Sequence, residues 1–140
     1  MSIMPWSRLI DFDAVMELHR EAISRFGGDQ TPTAKDGCIE RSLGAAWNAE
    51  LYAGSEDALP GLCFAACLLF YLAKNHCFVD GNKRIAWMAS MHVLLGLDLT
   101  IDVSDDDGEA FCLSILDGTV EHATDVVTWM ADKLAAIEED

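Results

Sequence analysis

Positive charge is what this sequence most lacks. Nine Lys and Arg stand against twenty-four Asp and Glu in 140 residues, a formal net charge of −15. A surface of that sign repels polyanions, so general binding to nucleic acid or to an anionic membrane is disfavoured and any phosphate site has to be local. Long apolar runs are missing too: the longest, Leu59 to Ala73, contains Pro60 and Gly61 and stops at Lys74. It falls short of the ~20 residues needed to cross a bilayer. The start, MSIMPWSRLIDFDAVM, has no basic segment followed by an apolar one and a small-residue cleavage site, so no secretory signal is expected. The five cysteines, at 38, 63, 67, 77 and 112, are odd in number and include no Cys-x-x-Cys spacing. Neither a complete disulfide framework nor a zinc ribbon is predicted, and a reducing cytoplasm is the expected compartment. No internal repeat and no Pro/Gly/Ser-rich linker divides the chain, which predicts one domain over residues 1–140.

What is present is apolar content, 51% of the residues, ample to offset the entropy of ordering. Val15, Leu18, Ile23 and Phe26 recur at helical intervals behind Asp11 or Asp13 as N-cap, and Gly27-Gly28 supplies a stop. Residues 29–36 carry turn chemistry, and Cys38, Ile39, Leu43 and Trp47 share a face of a short helix over Cys38 to Trp47. Asn48 to Asp57 is predicted to be irregular. A central helix over about 59–75 is apolar on every face, as expected for a helix surrounded by others, and a second strong helix runs from Asn82 to Gly96. Leu97 to Val103 alternates, yet without an evident partner it is predicted to be an extended linker in preference to a strand. Helices follow over Asp105 to Asp117 and over about 121–136. The fold class expected is all-α, with five or six helices and essentially no sheet.

Chemistry concentrates in His76-Cys77-Phe78-Val79-Asp80-Gly81-Asn82-Lys83-Arg84, between the two strongest helices. A loop entering a helix N-terminus presents unsatisfied N–H groups and a positive dipole end, which together accept an anion. Gly81 permits backbone conformations in which successive N–H groups converge on a phosphate, and Lys83 and Arg84 add charge. Asp80 offers the hard oxygen that Mg²⁺ uses beside a phosphate, and His76 offers an imidazole that can take a proton from an incoming hydroxyl. Phe78 and Val79 are expected to point the other way and pin the loop to the core. Taken singly, each residue has a plainer reading. His76 suits a helix C-terminus, Asp80 or Asn82 an N-cap, and Lys83 and Arg84 a solvated first turn. Cations at a helix N-terminus oppose its dipole, however, and need a bound anion or a nearby carboxylate.

The string HCFVDGNKR resembles the signature of the Fic/Doc family, His-x-Phe-x-Asp/Glu-Gly-Asn-Gly/Lys-Arg, at every defined position. With LHREAISRFGG near the start and CLLFYLAKNH before the motif, the likeness is to the death-on-curing (Doc) toxin branch and covers about residues 11–136. The resemblance implies an all-α Fic core with the motif between two central helices. It implies transfer of part of ATP to a hydroxyl of a target protein, with His76 as general base, Asp80 holding Mg²⁺, Gly81, Asn82, Lys83 and Arg84 holding phosphates, and Phe78 as apolar anchor. Lys83 stands where AMP-transferring members commonly have a second Gly, and Trp87 where they have a second Arg; both match the Doc branch. That branch implies phosphorylation from the γ-phosphate, elongation factor Tu as the type of target, and a small antitoxin of the prevents-host-death type. Gly81, Cys77 and Ile85 depart from the Doc pattern, which has Ala, Pro and Thr there, and AMP transfer by the same residues stays open. A non-catalytic module that holds nucleotide or a partner peptide is the third reading. No Ser/Thr-x-x-x-Glu-Gly/Asn sequence occurs, which is consistent with control by a separate inhibitor.

Other residues are read more plainly. Cys63 and Cys67 are expected to be buried packing, His19 to have a structural place on the first helix with approach to the site as the alternative, and Trp47, Trp87 and Trp129 to join the core. Cys77 beside His76 raises a Cys–His nucleophile, disfavoured because adjacent side chains diverge. Asp105, Asp106 and Asp107 fit a solvated helix start. A target-aligning flap is expected in residues 27–37 or 48–57.

Overall fold

The computed structural model describes residues 4–27, 34–53 and 59–136. Six helices and one two-stranded sheet occur among them: α1 (Phe12–Phe26), α2 (Cys38–Ala53), α3 (Leu62–Asn75), α4 (Asn82–Gly96), β1 (Leu99–Ile101), α5 (Asp105–Leu116), α6 (Ala123–Lys133) and β2 (Leu134–Ala136). The all-α reading holds. Of the two N-cap choices for α1 the chain uses Asp11, whose carboxylate accepts the Ala14 N–H at 2.8 Å. Helix α5 is capped in the same manner by the Ser104 hydroxyl, which accepts from Asp107 N–H at 3.1 Å.

The uniformly apolar segment forms the centre. Leu62 to Phe70, Leu72 and Ala73 of α3 are all buried, and α3 packs against α2, α4, α5 and α6. Burial on every side removes water from its whole apolar surface, the dominant stabilising term at ~25 cal/mol per Å². Small buried residues suit the packing of α3 against α4: Ala65 and Ala66 on the one, Ala86, Ala89 and Ser90 on the other. Ser90, buried there, is satisfied by donating to the Ala65 carbonyl at 2.8 Å. Trp47, Trp87 and Trp129 are partly buried at the margin of this core.

Two sequence expectations are corrected. Residues 48–53, predicted to be irregular, continue α2; residues 54–57 lie outside the described set. Ala49, Glu50 and Leu51 are good helix formers, and the extra turn gives Glu50 a task. Its carboxylate accepts N–H bonds from Gly61 at 3.3 Å and Phe64 at 3.0 Å, capping α3 from a neighbouring helix. The stretch predicted as a linker contains β1, which pairs antiparallel with β2 in the register Leu99↔Ala136, Thr100↔Ala135, Ile101↔Leu134. Its partner was concealed in the last predicted helix, which stops at Lys133. Leu-Ala-Ala is a helical tripeptide by propensity, and pairing with a distant segment overrides it.

Candidate active site

The loop from His76 to Gly81 joins the C-terminus of α3 to the N-terminus of α4. His76 is the C-cap residue of α3 at φ 48, ψ 55, so the plain reading of its backbone is correct, and its side chain is exposed. A non-glycine residue in this left-handed region costs roughly 1–2 kcal/mol, which the surrounding loop must offset. The carbonyl of Cys77 accepts the Lys35 N–H at 2.8 Å. Cys77 is also joined by a disulfide to Cys38, the first residue of α2. One pair is not a complete framework, and nothing in the cysteine spacing points to it: 39 residues separate the two, and only the packing of α2 beside the loop brings them together. Its sulfur being bonded, Cys77 is not a free nucleophile.

Phe78 is buried and anchors the loop as expected, but Val79 is 69% exposed and does not. The loop bends over Phe78 to Asp80, and Val79 turns outward there while Phe78 points in. Asn82 turns its side chain back on Phe78, accepting the Phe78 N–H at 2.9 Å and donating to its carbonyl at 2.8 Å. An amide expected among the phosphate-holding groups thus braces the loop, while its backbone N–H stays in the first turn of α4.

Neither Asp80 nor Asn82 caps α4. The N-cap is Gly81 at φ 78, ψ 15, with no side-chain cap bond, a conformation glycine adopts without penalty. Asp80 is exposed and accepts the Gly81 N–H at 2.8 Å. The helix therefore begins without a side-chain acceptor for its first N–H groups, which is the arrangement that receives an anion. His76, Asp80, Gly81, Asn82, Lys83 and Arg84 all line one cavity of about 320 Å³ at this point. The sequence-predicted site residues are thereby brought together.

The two cations are held differently. Lys83 is half-buried and donates to Glu109 of α5 at 2.7 Å. The hydrogen bond and then the charge of Lys83 hold the Glu109 carboxyl below its usual range, with a smaller contribution from Arg84. A carboxylate from another helix thus meets part of the conflict between cation and dipole. The Arg84 guanidinium lies 4.6 Å from the centre of the Phe26 ring, at the end of α1. Both cations also line a second, more apolar cavity with Trp87, Met88 and Cys112. There α5 comes close: a Cβ at Gly108 would stand 2.9 Å from Trp87 Cη2.

One residue has a larger part than the sequence reading gave it. His19 of α1 is 2% exposed, and its Nε2 donates to the Asp80 carbonyl at 3.0 Å. Its ring stacks on Phe78 with centroids 3.7 Å apart and planes 6° from parallel. The structural place expected for His19 is correct, but the structure it holds is the motif loop. A polar ring at a helical position otherwise facing the core was the available signal.

A family model described as the Fic/DOC family matches residues 9–94, more than half of the chain. The chain belongs to the Fic/DOC family. The matched region runs from just before α1 to the last turns of α4, so it includes His19, the disulfide and the entire motif. Toxin Doc of Mycolicibacterium smegmatis (strain ATCC 700084 / mc(2)155) is 47% identical over 57 residues, covering 36% of this chain and 44% of the relative. The chain thus matches less than half the length of that relative. No helix among the described residues is long and apolar enough to cross a membrane.

Proposed function

We propose that this Fic/DOC protein is a Doc-like toxin that transfers the γ-phosphate of Mg²⁺-ATP to a hydroxyl of a target protein. The observation that carries this reading is a helix N-terminus without a side-chain cap, flanked in one cavity by a base, a carboxylate and two cations. The first-turn N–H groups of α4 bind the polyphosphate with Lys83 and Arg84, a reading supported by two cations at this helix start in an otherwise acidic chain. His76 takes the proton of the target hydroxyl as that oxygen attacks phosphorus, and ADP leaves. The exposed Asp80 carboxylate fits Mg²⁺, which keeps most of its water and uses one or two carboxylates beside substrate phosphates; when bound, it neutralises charge on the transferred group. His19, Asn82 and the Cys38–Cys77 link hold the loop that carries these groups.

The preference for γ-phosphate transfer rests on Lys83, which fills the place of a second glycine in the motif and adds charge beside the phosphates. A target of the elongation factor Tu type and a prevents-host-death antitoxin come from the resemblance to the Doc branch, while a cytoplasmic setting and a single unit over residues 1–140 rest on the cysteine pattern and on the length and undivided composition of the chain. The name of the mycobacterial relative supports the toxin part of the reading.

The test incubates the purified chain and its His76→Ala variant with Mg²⁺, a bacterial lysate and ATP labelled at either the α- or the γ-phosphate. His76-dependent protein label from γ-ATP alone is expected. Label from α-ATP would assign AMP transfer instead. Loss of all His76 dependence, with both proteins folded, would leave a binding module.

A further inference from the structure

The proposed transfer chemistry gives the sulfurs of Cys38 and Cys77 no chemical part beyond holding the loop. Cys77 follows the candidate base directly in sequence, and Cys38 opens α2; their Cα atoms are 5.4 Å apart, inside the range a disulfide spans. The same two segments are also held by weaker bonds. Lys35 N–H donates to the Cys77 carbonyl at 2.8 Å and Asn75 Nδ2 to Ser42 Oγ at 2.9 Å, while within α2 Ser42 Oγ donates to the Cys38 carbonyl at 2.9 Å. These bonds keep the two segments of the clasp adjacent when the sulfurs separate, as a reversible site requires, without the covalent restraint on the loop. The remaining cysteines, Cys63, Cys67 and Cys112, are free and buried. Burial raises all three thiols, that of Cys112 to about 11, which leaves them little thiolate with which to compete.

We infer that Cys38 and Cys77 form a reversible thiol–disulfide site that sets the order of the motif loop and thereby makes the transfer reaction respond to oxidation. The effect on the reaction rests on the function proposed above; the site and its effect on the loop do not. His76 keeps a left-handed backbone that an L-residue abandons unless its neighbours fix it. On its C-terminal side Cys77 is the first residue that fixes it, through the disulfide and one backbone hydrogen bond, ahead of the contacts that His19 and Asn82 make with Phe78 and Asp80. Reduction removes the covalent anchor and leaves the hydrogen bond.

The chemistry balances with a low-molecular-weight disulfide such as glutathione disulfide as oxidant. One protein thiolate attacks it and displaces a glutathione thiolate, and the second protein thiolate then displaces the other glutathione. Two protein thiols lose two electrons and two protons, and one glutathione disulfide becomes two glutathione thiols. A dithiol reductant runs the sequence backwards. Since both sulfurs are buried, exchange waits on opening of the clasp and is slow in the folded protein.

The test takes the full chain through glutathione disulfide and then dithiothreitol. Free thiols are alkylated under denaturing conditions and located by peptide mass, and hydrogen exchange at residues 76–82 and labelling from γ-ATP are read in each state. Linked Cys38–Cys77 peptides are expected after oxidation, with loop exchange and labelling each changing roughly tenfold on reduction, exchange faster and labelling weaker. Cys38→Ser is expected to stay at the reduced level in either reagent; should it fail to fold, the wild type in its two states carries the test. Alkylation of both Cys38 and Cys77 after glutathione disulfide would overturn the site. Linkage with equal loop exchange in the two states would overturn its effect on the loop. A change in exchange with unchanged labelling would refute control of the reaction. A change in exchange with no His76-dependent label from γ- or α-ATP in either state would count against the transfer reading while the redox site stands.

Discussion

Replacing His19 by Phe keeps a flat ring against Phe78 and removes the Nε2–H that donates to the Asp80 carbonyl at 3.0 Å. A neutral hydrogen bond of this kind contributes about 1 kcal/mol net to stability, so the urea midpoint should fall slightly with the denaturant slope unchanged. His19→Ala loses more. It adds the stacking contribution of about 1 kcal/mol and leaves a ring-sized void among Phe78, Ile23 and Gly81, for a total of roughly 3–4 kcal/mol. The informative comparison is between stability and activity in His19→Phe. Freeing the Asp80 carbonyl lets the carboxylate of the same residue wander, while the α4 N–H groups that bind phosphate stay in place. With γ-labelled ATP, the expected result is a KM near wild type and a kcat lowered about tenfold, as displacement of a catalytic group by a fraction of an ångström costs. Hydrogen exchange at residues 78–81 should rise in parallel. If His19→Phe equals wild type in both loop exchange and kcat, while His19→Ala is merely less stable, then His19 fills space and does not position the loop.

Glu50→Ala removes the acceptor of the Gly61 and Phe64 N–H groups and should cost about 1–2 kcal/mol in urea denaturation; Glu50→Gln should recover part of it. Gly108→Ala gains helix propensity but drives a Cβ to 2.9 Å from Trp87, so a net loss of about 1 kcal/mol is expected by the same assay, since overpacking costs exceed the gain. Lys83 holds Glu109 below its usual range in the folded state, so the stability from this pair is present above the ordinary glutamate pKa and lost as pH falls through the depressed one. Glu109→Gln should therefore flatten the fall in urea midpoint between roughly pH 5 and 3 by lowering the neutral plateau towards the acid value; an unaltered acid slope would refute the linkage.

The fold was legible where burial and sequence period agree. Helix α4 begins and ends where the pattern from Asn82 to Gly96 predicts, because apolar spacing and a polar loop before it point to the same boundary. The sheet was not legible, because strand pairing is a contact between distant segments. Leu99 to Ile101 alternates as a strand should, but residues 134–136 carry no matching pattern and pair through the position that α6 gives them. The last turn of α2 was missed for a related reason. A polar Glu50 in a weakly patterned stretch looks like a loop until the N–H groups it accepts, eleven and fourteen residues onward, are in view.

The same division runs through the site. Six candidate residues lie within nine consecutive positions, so a local reading found them, and a loop entering a helix suffices to bring them to one cavity. What holds that loop comes from elsewhere: His19 from 61 residues before Asp80, Cys38 from 39 before Cys77, and Glu109 from 26 after Lys83. Each is a kind of residue that sequence alone explains more plainly, as a core histidine, a stray cysteine and a solvated glutamate. Asn82 shows the converse. Read as a ligand for phosphate, it is engaged through its side chain on the Phe78 peptide, four residues back, where the local reading had every atom available but no geometry. A motif can therefore name the groups that carry a reaction without dividing them into those that meet the substrate and those that hold the others still. In this chain that division depends on contacts from α1, α2 and α5, and the substitutions at His19 and Glu109 and the oxidation of Cys38 and Cys77 perturb those three contacts one at a time.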